Sequence, residues 1–171
     1  MVAKEYAKAL HEIAEELNIF DIIKNQYKIT LDLLKDQQMM SFFTNPVIKS
    51  KEKKDLIKKS FSDFNENFVY FLYVLIDNNR FNYINDIYEK FIDIYLNKND
   101  MISIKLFSAE KLKENDINRI IELLRPRFNN KKIVYENIVD SSLIGGIKVL
   151  ANDTLINLNT KTSIDDLKNS L

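Results

Sequence analysis

The sequence predicts an α+β fold that is mainly α: an antiparallel six-helix bundle over residues 1–99, then a small α/β module over residues 100–171. Three observations carry this. Apolar residues recur at helical spacing through most of the first hundred positions. After Asp100 the period changes, and Met101-Ile-Ser-Ile-Lys-Leu-Phe107 alternates as a half-buried strand does. The only two glycines are adjacent, Gly145 and Gly146, and they sit among short strand-like segments rather than helices.

Residues 3–17 carry the clearest helical pattern. At 100° per residue, Ala3, Tyr6, Ala7, Ala9, Leu10, Ile13, Ala14 and Leu17 share an arc of about 160°. Lys4, Glu5, Lys8, His11, Glu12, Glu15 and Glu16 fill the other side, which puts His11 on a charged surface. One packing seam needs only ~100°. An arc this wide leaves an edge for a second helix, either of this chain or of another. A second helix is expected at about 20–36, with Ile22, Ile23, Tyr27, Ile29, Leu33 and Leu34 as its stripe. A short helical piece at 38–43 ends at Asn45-Pro46. Ser50 reads as the N-cap of the next helix, with Glu52 and Asp55 in its first turn.

That helix carries six lysines between Lys49 and Lys59 against two acids. The stretch is either a basic patch for anionic ligands or a solvated helix face. No aromatic residue interleaves with the lysines, which favours the solvated face. Residues 66–78 contain the apolar run Phe68-Val-Tyr-Phe-Leu-Tyr-Val-Leu-Ile76. Being apolar all round, this helix is central, or covered by a partner as well. It is far shorter than the ~20 residues that cross a bilayer. A last long helix at about 82–96 presents Tyr83, Ile84, Ile87, Tyr88, Phe91, Ile92 and Tyr95, and Asn97–Asp100 forms a linker.

In the second module a helix at about 115–128 should stop or kink at Pro126. Strands are expected at 132–139, 147–151 and 154–158, with a turn at Asn152-Asp153 and a closing helix at 160–170 that turns Ile164 and Leu167 inward. The glycine pair opens the third strand, where it should make a bend or a bulge.

The residues supply no chemical centre. Lysine plus arginine equals aspartate plus glutamate, at 25 each, which argues against a general nucleic-acid binder. Cysteine is absent, so disulfides and thiol chemistry are excluded. His11 is the sole histidine and has no companions for a triad or a zinc site. Gly145-Gly146 lacks the spacing and the following Lys-Ser or Lys-Thr of a phosphate loop. It also precedes a strand, where a dinucleotide fingerprint would precede a helix. No carboxylate stands out. The start, Met1-Val-Ala-Lys-Glu-Tyr, has no apolar stretch behind basic residues, so no secretory signal is expected. Catalytic, cofactor and metal residues are therefore all assigned as none, and an interaction protein is expected.

Four stretches in order resemble one family. They are Tyr6-Ala-Lys-Ala-Leu10; Asp77-Asn-Asn-Arg80 with Ile84, Ile87 and Phe91 after it; Ser108-Ala109; and Asp140-Ser-Ser-Leu-Ile-Gly-Gly146. Together they resemble the delta subunit of F-type ATP synthase, the bacterial relative of the mitochondrial oligomycin-sensitivity-conferring protein, over essentially the whole chain. The resemblance implies a non-catalytic stator of the peripheral stalk. Its helical domain would hold the N-terminal helix of an alpha subunit, and its second domain would join the C-terminal end of the b subunits. Carried over by position, Tyr6, Ala9, Leu10 and Ile13 of the first helix and Phe71, Val74 and Leu75 of the fifth would line the alpha-binding groove. Arg80 would cap and shape the domain. The family's usual Asp-small-Ser before the last helix is replaced here by Asn157-Leu-Asn-Thr-Lys-Thr-Ser163, so no b-contact residue is assigned. Absence of the long mitochondrial extension points to a bacterial subunit, peripheral on the cytoplasmic side of the cell membrane and touching it only through the complex. The competing expectation is a stand-alone helical adaptor that binds anionic membrane or nucleic acid through Lys49–Lys59.

Overall fold

The computed structural model describes residues 2–143, 145–151 and 154–158. The expected turn at Asn152-Asp153 and the closing helix at 160–170 lie outside them. The chain divides into two compact units between Tyr95 and Leu96, and each has its own hydrophobic core.

The first unit contains α1 (Val2–Glu16), α2 (Phe20–Leu33), α3 (Gln37–Thr44), α4 (Ser50–Ser60), α5 (Glu66–Asp77) and most of α6 (Ile84–Lys98). With α7 of the second unit, seven α-helices occur among the described residues. A 3-10 turn, Phe81–Tyr83, precedes α6, so this helix begins later than its apolar stripe suggests. Leu10, Ile23, Ile57, Phe68, Leu72, Ile87 and Phe91 are buried in one core with Tyr27. The Tyr27 ring lies 5.2 Å from Phe68 and 4.9 Å from Tyr88. Its hydroxyl donates to the Ile84 carbonyl at 2.8 Å, which satisfies the one polar atom this side chain brings inside. Burial, reinforced by neighbouring Tyr88, raises the Tyr27 phenol well above its ordinary pKa.

Asparagine and aspartate take the place that glycine usually has at chain reversals. Asn18, Asn79, Asp100, Asn129 and Asn130 all have positive φ, and Asn and Asp tolerate that region better than other side chains. After Asn18 the Ile19 N–H donates to Ala14 O at 2.8 Å, and after Asn79 the Arg80 N–H donates to Leu75 O at 2.8 Å. Both bonds close a helix C-terminus in the Schellman manner. The start of α4 departs from expectation. Ser50 is the first helical residue, and Lys49 holds the cap position without a side-chain bond. Buried Lys53 secures this end from within by donating to Asn45 O at 2.8 Å.

The second unit is a four-stranded sheet in the order β2-β1-β3-β4. Its strands are β1 (Met101–Ser108), β2 (Lys132–Val139), β3 (Ile147–Ala151) and β4 (Thr154–Leu158). β1 and β2 are parallel, so a crossover must join them, and α7 (Glu114–Leu124) supplies it. Ile117, Ile120 and Leu124 of α7 share a core with Ile104, Leu106 and Val149 of the sheet. α7 ends before Pro126, and Arg125–Phe128 continue as a 3-10 turn, because proline cannot donate the helical hydrogen bond. Gly146 has φ 83°, in the left-handed region. The β1–β3 and β3–β4 registers run without an extra residue. The pair therefore bends the chain ahead of β3 and makes no bulge within the ladder.

Candidate partner-docking surface

α1 is set by what lies beneath it. Ala7, Leu10 and Ala14 are buried, and so is His11, only 4% exposed. This corrects the surface position expected for His11. Its ring lies 5.9 Å from Phe20 of α2 and 6.0 Å from Phe91 of α6, and Phe20 in turn stacks on Tyr95 at 3.8 Å. An imidazole presents a largely apolar ring, and an aromatic neighbourhood accepts it as one. Counted as polar, His11 displaces the sequence-derived stripe away from the true packing seam.

With the seam rotated toward His11, the opposite edge of the apolar arc is left uncovered. Ala9 is exposed, Ile13 is 38% exposed and Leu17, just past the end of α1, is 49% exposed. These three recur every fourth residue, which lines them up along one side of the helix. Tyr6 is half-buried and packs against the core. α1 packs directly on both α2 and α5. In α5, Phe71 and Leu75 belong to the buried core and Val74 is half-buried.

The seven residues assigned to the groove from the sequence thus split in two. Tyr6, Ala9, Ile13 and Val74 reach the surface, whereas Leu10, Phe71 and Leu75 lie in the unit's own interior and support the helices that carry the others. Leu17 belongs to the same edge without being among the seven; its place in the apolar arc, one turn beyond Ile13, is the signal that marks it. α2 adds a second uncovered edge, since Ile22, Ile29 and Leu33 of its expected stripe are exposed while Ile23, Tyr27 and Thr30 face inward. Arg80 is exposed, with its guanidinium 5.9 Å over the Tyr83 ring.

Two polar side chains of the second unit brace its loops. Asn137 donates to Leu106 O at 3.3 Å and to Ser108 Oγ at 3.2 Å, and accepts from the Leu112 N–H at 3.2 Å. These bonds tie the loop after β1 to β2. Asp140 accepts from the Ser142 hydroxyl at 2.6 Å and from its N–H at 3.0 Å, which lowers the carboxyl pKa. Among the described residues, no group of three or more metal-ligating side chains occurs, and no helix is long and apolar enough to cross a membrane.

The model of the ATP synthase delta (OSCP) subunit family matches residues 2–171. The chain belongs to this family. The family is that of a structural subunit of the ATP synthase peripheral stalk. Similar proteins include the ATP synthase subunit delta of Clostridioides difficile, 29% identical and covering 100% of this chain and 96% of that protein. The ATP synthase subunit delta of Clostridium botulinum is 31% identical, covering 96% of this chain and 93% of that one. The corresponding protein of Acetivibrio thermocellus is also 31% identical, with coverage of 100% and 97%. Among solved structures, a chain in the Toxoplasma gondii mitochondrial ATP synthase hexamer shares the fold with a TM-score of 0.70. It is 16% identical, and the match covers 99% of this chain and 97% of that chain.

Proposed function

We propose that this chain links the catalytic head of a bacterial ATP synthase to its b subunits, and so keeps the head from turning with the rotor while ATP is made. In this reading residues 1–99, with α1–α6 as a six-helix unit, hold the N-terminal helix of an alpha subunit, and residues 100–171 join the C-terminal end of the b subunits. The protein contributes binding surfaces and no catalytic group. It sits on the cytoplasmic face of the cell membrane through the complex.

One observation supports the head-binding half most directly: the uncovered apolar edge Ala9–Ile13–Leu17 on a helix whose other side is sealed by aromatic packing. An amphipathic helix laid along that edge, with Tyr6 and Val74 beside it, would bury it. The small side chain of Ala9 allows close approach of the two backbones.

The competing reading, an adaptor using Lys49–Lys59, gains nothing from the structure as a binding stripe. Lys53 is buried on Asn45 O, and Lys54 pairs with Asp77 at 2.6 Å. The test uses the full chain and a peptide of the alpha-subunit N-terminus from the same organism. Ala9→Asp should abolish binding with the far-UV spectrum and melting temperature unchanged, because the introduced carboxylate is solvated in the free protein and buried uncompensated in the complex. Unaltered affinity in this variant removes the proposed groove.

A further inference from the structure

We propose that the outer edge of β2 pairs with the same edge of a second copy of this chain, antiparallel about Val134, to give one eight-stranded sheet. β2 ends the sheet, with β1 as its one neighbour in the order β2-β1-β3-β4. The Lys132 and Asp140 N–H groups donate to Asp100 O and Ser108 O. The β1–β2 register is unbroken between them, so the even-numbered residues of β2 turn their backbone groups to β1. Ile133, Tyr135, Asn137 and Val139 turn theirs outward, where they meet no backbone partner among the described residues. Val134, on one side of the sheet, is 42% exposed, and Tyr135 and Val139, on the other, are 41% and 54% exposed. Neither side therefore overhangs the edge. β2 also has no proline and no bulge to blunt it. Its open donors and acceptors select an extended strand over a helix or a lipid surface.

The side chains of β2 select a second copy as that strand. Antiparallel pairing sets outward-turned residues against outward-turned residues, so a symmetric pair must be centred on one residue. Centred on Val134, Lys132 stands opposite Glu136 of the second copy, twice by symmetry. Ile133 then stands opposite Tyr135, and Val134 opposite Val134. Opposite charges and an aromatic ring against a β-branched side chain are favourable cross-strand pairs. A centre at Glu136 would set two carboxylates face to face, and a centre at Lys132 two ammonium groups. A centre at Ile133 or Tyr135 would set Lys132 or Glu136 against Val134 and form no ion pair. Within their own chain Lys132 and Glu136 form no ion pair among the described residues, and Lys105, the β1 neighbour of Glu136, forms none either. One strand pair is a small interface, so the dimer is reversible and depends on concentration. The inference rests on the sheet alone and not on the stalk role.

Sedimentation equilibrium of the full chain, from roughly ten micromolar to one millimolar, tests the pairing, with amide hydrogen exchange followed by NMR at both ends of that range. The wild type should pass from monomer to dimer. Exchange at Ile133 and Tyr135 should slow with concentration, while Val139, beyond the paired segment, should not change. Lys132→Glu and Glu136→Lys each set two like charges opposite one another and should weaken self-association about tenfold. An equimolar mixture of these two variants restores both ion pairs and should dimerise as the wild type does. A wild-type chain that stays monomeric, variants that associate as well as it does, or a mixture no better than its components would each overturn the proposal. So would slowing of the same amides by a b-subunit peptide while the chain alone stays monomeric, which assigns the edge to another protein.

Discussion

Ile13→Ala separates what the α1 edge gives to folding from what it gives to docking. Full burial of an isoleucine side chain contributes about 1.5–3 kcal/mol. Ile13 is 38% exposed in the free protein, so about 0.6–1.1 kcal/mol of that remains to be gained on docking. The other part, about 0.9–1.9 kcal/mol, already stabilises the helical unit. Alanine keeps a methyl, so these are upper values. The variant should bind the alpha-subunit N-terminal peptide up to about threefold to sixfold more weakly and unfold at lower urea with an unchanged slope. The same arithmetic at Leu17, 49% exposed, gives about 0.7–1.5 kcal/mol for docking. Because the two residues are neighbours on one helix edge, their double variant need not be additive. Calorimetric titration of the full chain measures the first effect and urea unfolding the second. Lowered stability with wild-type affinity would refute the reasoning, since the exposed fraction of Ile13 would then meet nothing in the complex.

Other consequences follow from single side chains. Gly146→Val puts a β-branched residue at φ 83°, so NMR signals of β3 and β4 should collapse while those of α1–α5 persist. Gly145→Ala should be neutral to within about 0.5 kcal/mol, because nothing lies within 4 Å of the added carbon; survival of the sheet in Gly146→Val would remove the glycine as its pivot. Tyr27 has a raised pKa in the folded state. Its contribution is complete below the unfolded value of about 10 and is lost as pH rises through the folded one, so stability should fall above about pH 10 and fall less in Tyr27→Phe. Asn79→Ala should cost about 1 kcal/mol in chemical unfolding, because Asn79 holds positive φ at the end of α5; no loss would mean the chain re-forms that cap without strain.

Much of this fold is written in periodicity. The switch from a 3.6-residue to a 2-residue pattern at Asp100 marks where helices give way to β1, and Pro126 marks the end of α7. What the sequence hides are contacts decided by neighbours distant in the chain. His11 looks polar until Phe20 and Phe91 close over it. The lysines of α4 have no aromatic company along their own helix, yet Tyr73 of α5 sits 5.6 Å from Lys54. Ser50 resembles a cap, but Lys53 fixes the helix start through a buried bond to a preceding turn. The uncovered α1 edge is half legible. The excess width of the apolar arc announces an edge beyond one seam, while pattern alone does not divide Leu10, which faces inward, from Ile13, which does not.

Co-purification from membranes of cells expressing the tagged chain tests most directly whether this protein holds an ATP synthase head to its stalk. The alpha, beta and b subunits should be recovered together with the wild-type protein, and Ala9→Asp should retain b while losing alpha and beta. Recovery of the tagged protein without head or b subunits would contradict that role.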